Sequence, residues 1–350
     1  MLRDITTSEL QKIFTTAIQE KVFPGAVIGI TSFSERQILA FGRQAYYKEA
    51  PLINNESVFD VASITKTVPT AVLALMLIDK DKLSLQGYVK DYVPGLSGRW
   101  KDEIKICHLL AQTVSFGFKL SDFKERTPDE IINLIFSSDL KTRPGTVYAY
   151  NNSTSILLGK VLENVTGLSL SALAEKNIFF PLQMFDTTFY PDKSSLRIVP
   201  TENDPWRGRV LKGEVHDESA YVVSQNGVVG SAGLFTTASD LLNFLQMIVS
   251  DGSFKEKKIL SKKTISLMEE NYIIDLNDTA TLGWEMRSID SVEMIWKSGF
   301  TGCFIACDMK RKLGFVMLTN YHFPKRKNNF DALNNVRRLF VRSILNDKSF

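Results

Sequence analysis

The hydrophobic and polar positions divide the chain into three parts. Helical spacing of apolar residues predicts a helix over residues 7–21, and short apolar runs predict two strands at 26–33 and 37–43. Four more short runs, separated by turn residues, begin at residue 282 and predict an antiparallel meander, followed by a closing helix over about 328–345. Predicted strands therefore lie near both ends of the chain.

Helices and loops fill the middle of the chain. A long apolar helix is predicted from Ser63 to about Leu83, and Pro69 is expected to bend it or to lie where its missing N–H does no harm. Residues 190–230 are rich in Gly, Asp, Ser and Pro and predict long loops. The clearest other helices are predicted at 128–137, 153–166, 169–176, 238–250 and 261–270.

Strands at both ends imply one sheet assembled from two distant segments. We therefore expect an α+β fold: an antiparallel sheet built from the N- and C-terminal segments, flanked by helices, with a mainly helical inserted domain. The predicted sheet domain comprises residues 1–62 and 270–350, and the predicted helical domain comprises residues 63–269. An active site is expected in the cleft between them.

The composition excludes several classes of protein. Hydrophobic residues make up 44% and charged residues 23% of the 350, which is typical of a globular chain rather than a disordered one. The net charge of +3 argues against nucleic acid as a partner, and the short basic stretches at 255–258, 310–312 and 325–327 are interpreted as solvated faces. The longest apolar run, 71–78, is far shorter than the roughly 20 residues that cross a bilayer, so no membrane span is predicted.

Cysteine and histidine usage gives no metal motif. Cys303 and Cys307 share one face of a predicted strand with no histidine nearby, which favours buried apolar cysteines over metal ligands. The N-terminus lacks the apolar core of a secretory signal, which predicts a cytoplasmic protein, or a periplasmic or secreted one if a signal was trimmed.

A Ser-x-x-Lys motif, Ser63 to Lys66, lies where a polar loop enters the long apolar helix. Three residues apart on a helix, the two side chains share a face, and the hydroxyl would lie at the positive end of the helix. A serine is a weak nucleophile unless a base removes its proton, and Lys66 can do so only when neutral. Its pKa must fall from about 10.4 to about 7 for half of it to be neutral at pH 7, so a second cation is expected nearby. The alternative is an N-cap serine followed by a solvent-exposed lysine.

Two further motifs carry compatible groups. Tyr150-Asn151-Asn152 precedes a predicted helix, and its tyrosine can pass a proton while the Asn152 amide can orient a carbonyl. The Lys297-Ser298-Gly299 motif ends a predicted strand, where the glycine lets a ligand approach the backbone and the lysine can act as the second cation or attract a carboxylate. Each is also compatible with an ordinary turn. Two other Ser-x-x-Lys matches, at Ser121 and Ser138, show that this motif also arises by chance.

The order Ser-x-x-Lys, Tyr-x-Asn, Lys-[Ser/Thr]-Gly resembles the class C β-lactamases and their relatives, which include DD-peptidases and β-lactamase-fold esterases. The resemblance covers about residues 8–345. It extends to the stretches DVASITKT, DKLSLQGYVKDYVPGL, RPGTVYAYNNSTSILLGKVLENVTG, GEVHDESA, GSAGLFTTASDL, LGWEM, KSGFTG and LTNYHFP.

The resemblance implies a role for each matched residue. Ser63 would be the acylated nucleophile, and Lys66 and Tyr150 would form its base network. Asn152 would position the substrate together with Lys297 and the Ser298-Gly299 pair that follows it. The backbone N–H groups of Ser63 and Phe300 would form the oxyanion hole. No cofactor is implied, and the expected partner is a small-molecule or peptide substrate.

The sequence leaves the substrate open. The implied activity is serine hydrolysis by an acyl-enzyme mechanism on a β-lactam, a D-amino peptide or a related amide or ester. Esterase-like relatives often carry histidine where Lys297 stands, which favours a carboxylate-bearing substrate here. Two departures, the Gln112–Gly117 stretch and the large side chains of Asn151 and Phe300, could reshape or narrow the site. The alternatives are a carboxylesterase and a non-catalytic penicillin- or peptide-binding sensor on the same scaffold.

Overall fold

A computed structural model of the chain describes residues 7–276 and 278–346. The predicted sheet domain extends at both ends beyond these residues. The α-helices are α1 Thr7–Gln19, α2 Val72–Asp79, α3 Ile106–Leu110, α4 Pro128–Ser137, α5 Asn152–Thr166, α6 Leu170–Ala174, α7 Glu218–Val223, α8 Ala238–Val249, α9 Lys262–Leu267 and α10 Asp331–Leu345. The strands are β1 Gly25–Thr31, β2 Arg36–Gly42, β3 Phe59–Asp60, β4 Asn203–Asp204, β5 Arg209–Val210, β6 Phe235–Thr236, β7 Ser253–Phe254, β8 Lys257–Lys258, β9 Glu285–Ile289, β10 Val292–Ser298, β11 Phe304–Asp308 and β12 Leu313–Thr319.

The main sheet joins the two ends of the chain. Its six strands run in the order β2-β1-β12-β11-β10-β9, and every neighbouring pair is antiparallel. The predicted meander is present as β9 to β12, and β1 pairs with the last strand, β12. The α+β fold class with a sheet of N- and C-terminal segments is therefore confirmed.

Helices cover both faces of the sheet. On one face α1 packs against α10, where the rings of Phe14 and Phe340 lie 5.9 Å apart. On the other face α8 approaches the strands closely, because a Cβ at Gly29 would lie 2.9 Å from Leu242 and one at Gly314 would lie 2.9 Å from Leu245. The α8 segment therefore packs on the sheet, although its sequence position falls inside the predicted helical insertion. The proposed domain boundaries stay a prediction.

The predicted helix from Ser63 to Leu83 bends at Pro69, which is one of the two outcomes expected for that residue, but it is not one continuous helix. A 3-10 helix, Ala62–Lys66, is followed by a π-helical segment with a non-helical backbone at Val68 (φ −110, ψ 106), and only then does α2 begin. Pro69 has no N–H to donate within a helix, which is consistent with a break at this position. Ser63 therefore lies on a short helical turn and not at the mouth of a long helix dipole. Smaller differences are that α9 is shorter than 261–270 and that the 190–230 loops contain β4, β5 and α7.

Among the described residues, a few apolar segments have the length and composition of a membrane span. One stretch, Ala62–Asp79, is long and apolar enough to cross a membrane, and the bent pair Asn152–Thr166 and Leu170–Phe179 passes the same test only when its halves are joined. Inside the protein, 83% of the first stretch is buried. Core segments that are mostly buried pass the same test of length and composition.

Candidate active site

Ser63 follows a tight turn that is fixed by hydrogen bonds to residues before and after it. Ala62 has a φ of +44°, in the left-handed region that costs an L-residue about 1 kcal/mol. The buried Asp60 carboxylate accepts hydrogen bonds from the N–H of Ala62 and from the N–H of His216, each at 2.8 Å. The Ala62 carbonyl in turn accepts from the Thr65 hydroxyl. These contacts fix the direction in which Ser63 enters its helical turn.

Lys66 is buried beside the Ser63 hydroxyl. Its Nζ lies 3.0 Å from Ser63 Oγ, 2.7 Å from Asn152 Oδ1 and 2.9 Å from the Ser231 carbonyl oxygen. The lysine is 4% exposed, so these three acceptors replace its contacts with water. The predicted Ser–Lys pair is therefore present, and the solvent-exposed lysine of the alternative interpretation is excluded.

The environment of Lys66 favours its neutral form. Burial lowers the pKa of Lys66 below its ordinary value, and the charge of Lys297 acts in the same direction. Tyr150 and Asp217 oppose this by favouring the ammonium, but the net pKa is lowered. A neutral lysine at this position can accept a proton from Ser63.

Asn152 links Lys66 to a carboxylate that the motifs did not single out. Its Nδ2 donates to Asp217 Oδ2 and to Ser219 Oγ, both at 2.9 Å, while its Oδ1 accepts from Lys66. Asp217 is also the N-cap of α7 and accepts from the N–H of Ala220. Burial tends to raise the pKa of Asp217, but Lys66 and these hydrogen bonds hold it below its usual range. Because both polar ends of the Asn152 amide have protein partners, the residue orients Lys66 in this structure.

The Tyr150 ring lies between the two lysines. Lys66 Nζ is 5.1 Å and Lys297 Nζ is 4.6 Å from its centroid, close enough for both cations to interact with the ring. Tyr150 is 42% exposed, so it faces solvent while touching the buried lysines. Asn151, the N-cap of α5, accepts from the Thr154 N–H and fixes the backbone that follows the tyrosine.

Glu285 neutralises Lys297. Its Oε1 lies 3.2 Å from Lys297 Nζ, and its other oxygen pairs with Arg287 at 3.2 Å. Lys297 is 3% exposed; burial lowers the pKa of this lysine, with Glu285 opposing the change. The sequence motifs did not identify Glu285. The only indication in the sequence was that this carboxylate lies between two apolar residues, Trp284 and Met286, of a predicted strand.

Gly299 brings the last predicted motif against the Ser63 turn. A Cβ at this position would lie 2.2 Å from the Val61 carbonyl oxygen, so only glycine allows β10 to end this close to the turn. The next N–H is that of Phe300. Among the hydrogen bonds of residues 7–276 and 278–346, neither the Ser63 N–H nor the Phe300 N–H has a protein acceptor. Both are therefore available to a ligand oxygen.

A cavity of about 880 Å³ opens over these groups. Its walls include Ser63, Tyr150, Asn152, Ser298 and Phe300. One side is aromatic: Phe300 is 41% exposed and stacks on His322 at 4.3 Å. The cavity lining also contains three arginines that the motifs did not identify, Arg287, Arg326 and Arg337.

The other two Ser-x-x-Lys matches do not form such a pair. Ser121 lies on the rim of the same cavity, but Lys124 packs over the Trp206 ring at 4.9 Å. Ser138 is the C-cap of α4, and its hydroxyl has no hydrogen-bond partner.

The three cysteines are free thiols in the protein interior. Cys303 and Cys307 are buried, as predicted, and Cys107 is buried as well. Within the described residues, no group of three or more His, Cys, Asp or Glu side chains is placed to hold a metal ion.

The chain matches the family model described as Beta-lactamase over residues 10–338. Since this is most of its length, the chain belongs to the beta-lactamase family. It is 27% identical over 345 residues to an N-acetylmuramyl-L-alanine amidase of Bacillus subtilis, covering 85% of this chain and 77% of the relative. It is 26% identical over 304 residues to a putative D-alanyl-D-alanine carboxypeptidase of Escherichia coli K12, covering 75% and 69% respectively.

Solved structures share the fold at lower sequence identity. A penicillin-binding protein homologue from Pyrococcus abyssi superposes with a TM-score of 0.77 at 20% identity, over 97% of this chain and 77% of that one. A class C β-lactamase from Rhodobacter sphaeroides superposes with a TM-score of 0.76 at 19% identity, over 97% of this chain and 100% of that one. The chain is thus a member of a family of hydrolases with the β-lactamase and transpeptidase fold, as the motifs predicted.

Proposed function

We propose that this protein is a serine hydrolase that forms an acyl-enzyme on Ser63 and acts on a β-lactam, a D-amino peptide or a related amide or ester. The observation that carries the proposal is the 3.0 Å contact between Ser63 Oγ and the buried Nζ of Lys66. A serine with an adjacent base of lowered pKa is the arrangement that nucleophilic catalysis requires.

Acylation follows from the positions of these groups. Neutral Lys66 takes the Ser63 proton as Oγ attacks the substrate carbonyl carbon, and the carbonyl oxygen gains the negative charge. The N–H groups of Ser63 and Phe300 donate to that oxygen. When the tetrahedral intermediate collapses, the leaving nitrogen or oxygen takes a proton from the Lys66 and Tyr150 network.

Deacylation uses the same groups in reverse. A water molecule attacks the ester carbonyl, and Tyr150, half-exposed and beside both lysines, passes the water proton to the network. Ser63 Oγ leaves with a proton returned by Lys66. Asn152 and Asp217 keep Lys66 aimed at Ser63 throughout.

Esters are a second candidate substrate class, because Glu285 neutralises Lys297. A lysine paired at 3.2 Å offers less charge to a substrate carboxylate than a free one, which removes part of the sequence-based preference for anionic substrates. The names of the two relatives, an amidase and a carboxypeptidase, support an amide instead.

A three-substrate panel tests the proposal. Turnover of nitrocefin, of a short-chain p-nitrophenyl ester and of a D-Ala-D-Ala peptide is measured for the wild type and for Ser63→Ala. We expect turnover of at least one substrate by the wild type and none above background by the variant. Binding without turnover of any of the three would instead identify a non-catalytic binding protein.

A further inference from the structure

Three phenylalanines at one end of the molecule are exposed to an unusual degree. Phe33 is 67% exposed, and Phe180 and Phe185 are each 72% exposed. The last two rings contact each other edge to face at 6.2 Å. Isolated exposed apolar residues are normal, but three large rings gathered together indicate a surface that something covers.

One groove lies beside the segments that carry these rings. Its lining includes Phe185, Ser34 next to Phe33, Gln246 and Lys255. Gln246 donates to the Phe33 carbonyl at 2.8 Å, and Lys255 donates to Gln183 in the loop between the other two phenylalanines. The first bond ties the β1–β2 turn to α8, and the second ties the β7–β8 hairpin to the 180–185 loop. Residues of all four segments line the same groove.

Basic residues lie next to the exposed phenylalanines on the same surface. Segments 251–270 and 308–312 hold eight Lys and Arg residues against five Asp and Glu residues. Lys262 and Lys312 pair with the Asp251 carboxylate at 3.6 and 2.6 Å, and Lys258 donates to the Asp251 backbone carbonyl at 2.7 Å. One carboxylate cannot neutralise these lysines, so the cluster keeps an excess of positive charge.

Further cations in the same segments are exposed and unpaired. Lys257, Lys263 and Lys310 form no ion pair with any residue in the described part of the chain. Two of the three basic stretches interpreted from the sequence as solvated faces, 255–258 and 310–312, thus lie beside exposed aromatic rings.

Strand register places the aromatic and basic parts at one end of the sheet. Thr31 at the end of β1 pairs with Gly314 at the start of β12, so the turn bearing Phe33 lies next to the turn of residues 309–312. The active site lies at the opposite end, because β10 starts at Val292 on this side and ends at Ser298 in the cavity wall. Seven residues at about 3.3 Å each separate the two ends by roughly 20 Å.

We propose that this end of the molecule, comprising Phe33, Phe180, Phe185 and the basic residues of 255–263 and 310–312, docks onto the surface of a membrane rich in anionic lipid. Aromatic rings partition into the interface between headgroups and acyl chains, and neighbouring lysines are attracted to anionic headgroups. Charge complementarity selects this partner over an apolar protein surface, which would not require the cations. Docking in this orientation leaves the cavity facing away from the bilayer and open to substrate.

Vesicle sedimentation tests the proposal with the intact protein. We expect binding to vesicles of phosphatidylcholine mixed with phosphatidylglycerol and little binding to phosphatidylcholine alone. Binding should fall in about 0.5 M NaCl, where the screening length shrinks to about 4 Å. The combined change Phe33→Ser, Phe180→Ser and Phe185→Ser should weaken binding at least about 10-fold, because three rings no longer enter the interface.

Charge reversal tests the basic part separately. Lys257→Glu with Lys310→Glu should weaken vesicle binding, whereas the matched control Lys48→Glu with Lys90→Glu, on other surfaces, should not. Leu52→Ser with Leu196→Ser is the control for removing exposed apolar side chains, which are 62% and 74% exposed. Ester hydrolysis in solution should stay unchanged in all of these variants.

Three results would overturn the proposal. The first is absence of wild-type binding to the anionic vesicles, and the second is equal binding by the triple-serine and wild-type proteins. The third is a concentration-dependent dimer, seen by analytical ultracentrifugation and lost in the triple-serine variant, in a protein that does not bind vesicles. That result would assign the surface to a second copy of the chain.

Discussion

Glu285 Oε1 and Lys297 Nζ lie 3.2 Å apart, and Glu285 lines the cavity that holds Ser63. The two side chains come from neighbouring antiparallel strands, where Glu285 stands opposite Trp296. The pair gives the buried lysine a counter-charge. On the proposed function, it would also set how much positive charge Lys297 offers to a substrate.

Removing the charge of Glu285 should change substrate preference. Glu285→Gln keeps a hydrogen-bond acceptor for Lys297 but leaves its charge uncompensated. We expect the ratio of kcat/KM for nitrocefin to kcat/KM for p-nitrophenyl acetate to rise roughly 5-fold, or about 1 kcal/mol, because only nitrocefin carries a carboxylate. Glu293→Gln, on the exposed part of β10, is the matched control. An unchanged ratio would show that Lys297 does not contact the substrate carboxylate.

Asp217 should control the pH dependence of acylation. Its negative charge favours the ammonium of Lys66 and so raises the pKa of that lysine, which burial otherwise lowers. In Asp217→Asn the pKa of Lys66 should fall further, so the neutral base persists to lower pH. We expect the acidic limb of the kcat/KM profile to move down by roughly 1 pH unit.

Asparagine is as good an N-cap as aspartate, so α7 should remain folded in the Asp217 variant. The exposed Asp192→Asn serves as control and should leave the profile in place. A limb that moves upward in Asp217→Asn would mean that neutral Lys66 is not the group that titrates.

Lys66→Ala should remove the base without removing the nucleophile. Acylation by a fluorescent penicillin or a fluorophosphonate should slow by about 10²- to 10⁴-fold, the usual contribution of a general base. Lys124→Ala removes the lysine of the second Ser-x-x-Lys match and should leave the rate unchanged. A Lys66 variant that keeps more than about a tenth of the wild-type rate is incompatible with the base role.

Gly299→Ala tests the backbone donors of the oxyanion hole. The new Cβ would meet the Val61 carbonyl oxygen at 2.2 Å, so β10 must move and carry the Phe300 N–H with it. We expect kcat to fall by about 10²- to 10³-fold, as for loss of one oxyanion donor. Gly208→Ala introduces a Cβ at a φ of +65° with no atom within 4 Å, so it should lower stability by about 1 kcal/mol and leave kcat unchanged. Equal kcat for Gly299→Ala and wild type would exclude the Phe300 N–H as a donor.

The sequence predicts those parts of this protein that local patterns determine. Strands β9 to β12 follow from short apolar runs between turns, and Ser63 with Lys66 follows from a fixed spacing. A bend at Pro69 is one of the two outcomes expected for that residue. The full break at Val68 is not predicted, because an apolar run in a buried helix and one in a kinked segment have the same composition.

The sequence did not identify the carboxylates that interact with the two active-site lysines, for a different reason. Asp217 is linked to Lys66 by hydrogen bonds through Asn152, a residue 65 positions away from it in the sequence. Glu285 reaches Lys297 because two strands pair in one register, and a register shifted by one residue would turn its side chain to the other face. Such contacts depend on the assembled fold and leave only an isolated polar residue as a signal.

The most direct test of the acyl-enzyme account is intact-protein and peptide mass spectrometry after reaction with a penicillin or a fluorophosphonate. We predict a single adduct on the peptide that contains Ser63, absent from Ser63→Ala and retained in Ser121→Ala, although Ser121 lies on the rim of the same cavity. An adduct on Ser121 or Ser138, or full labelling of Ser63→Ala, would contradict the account.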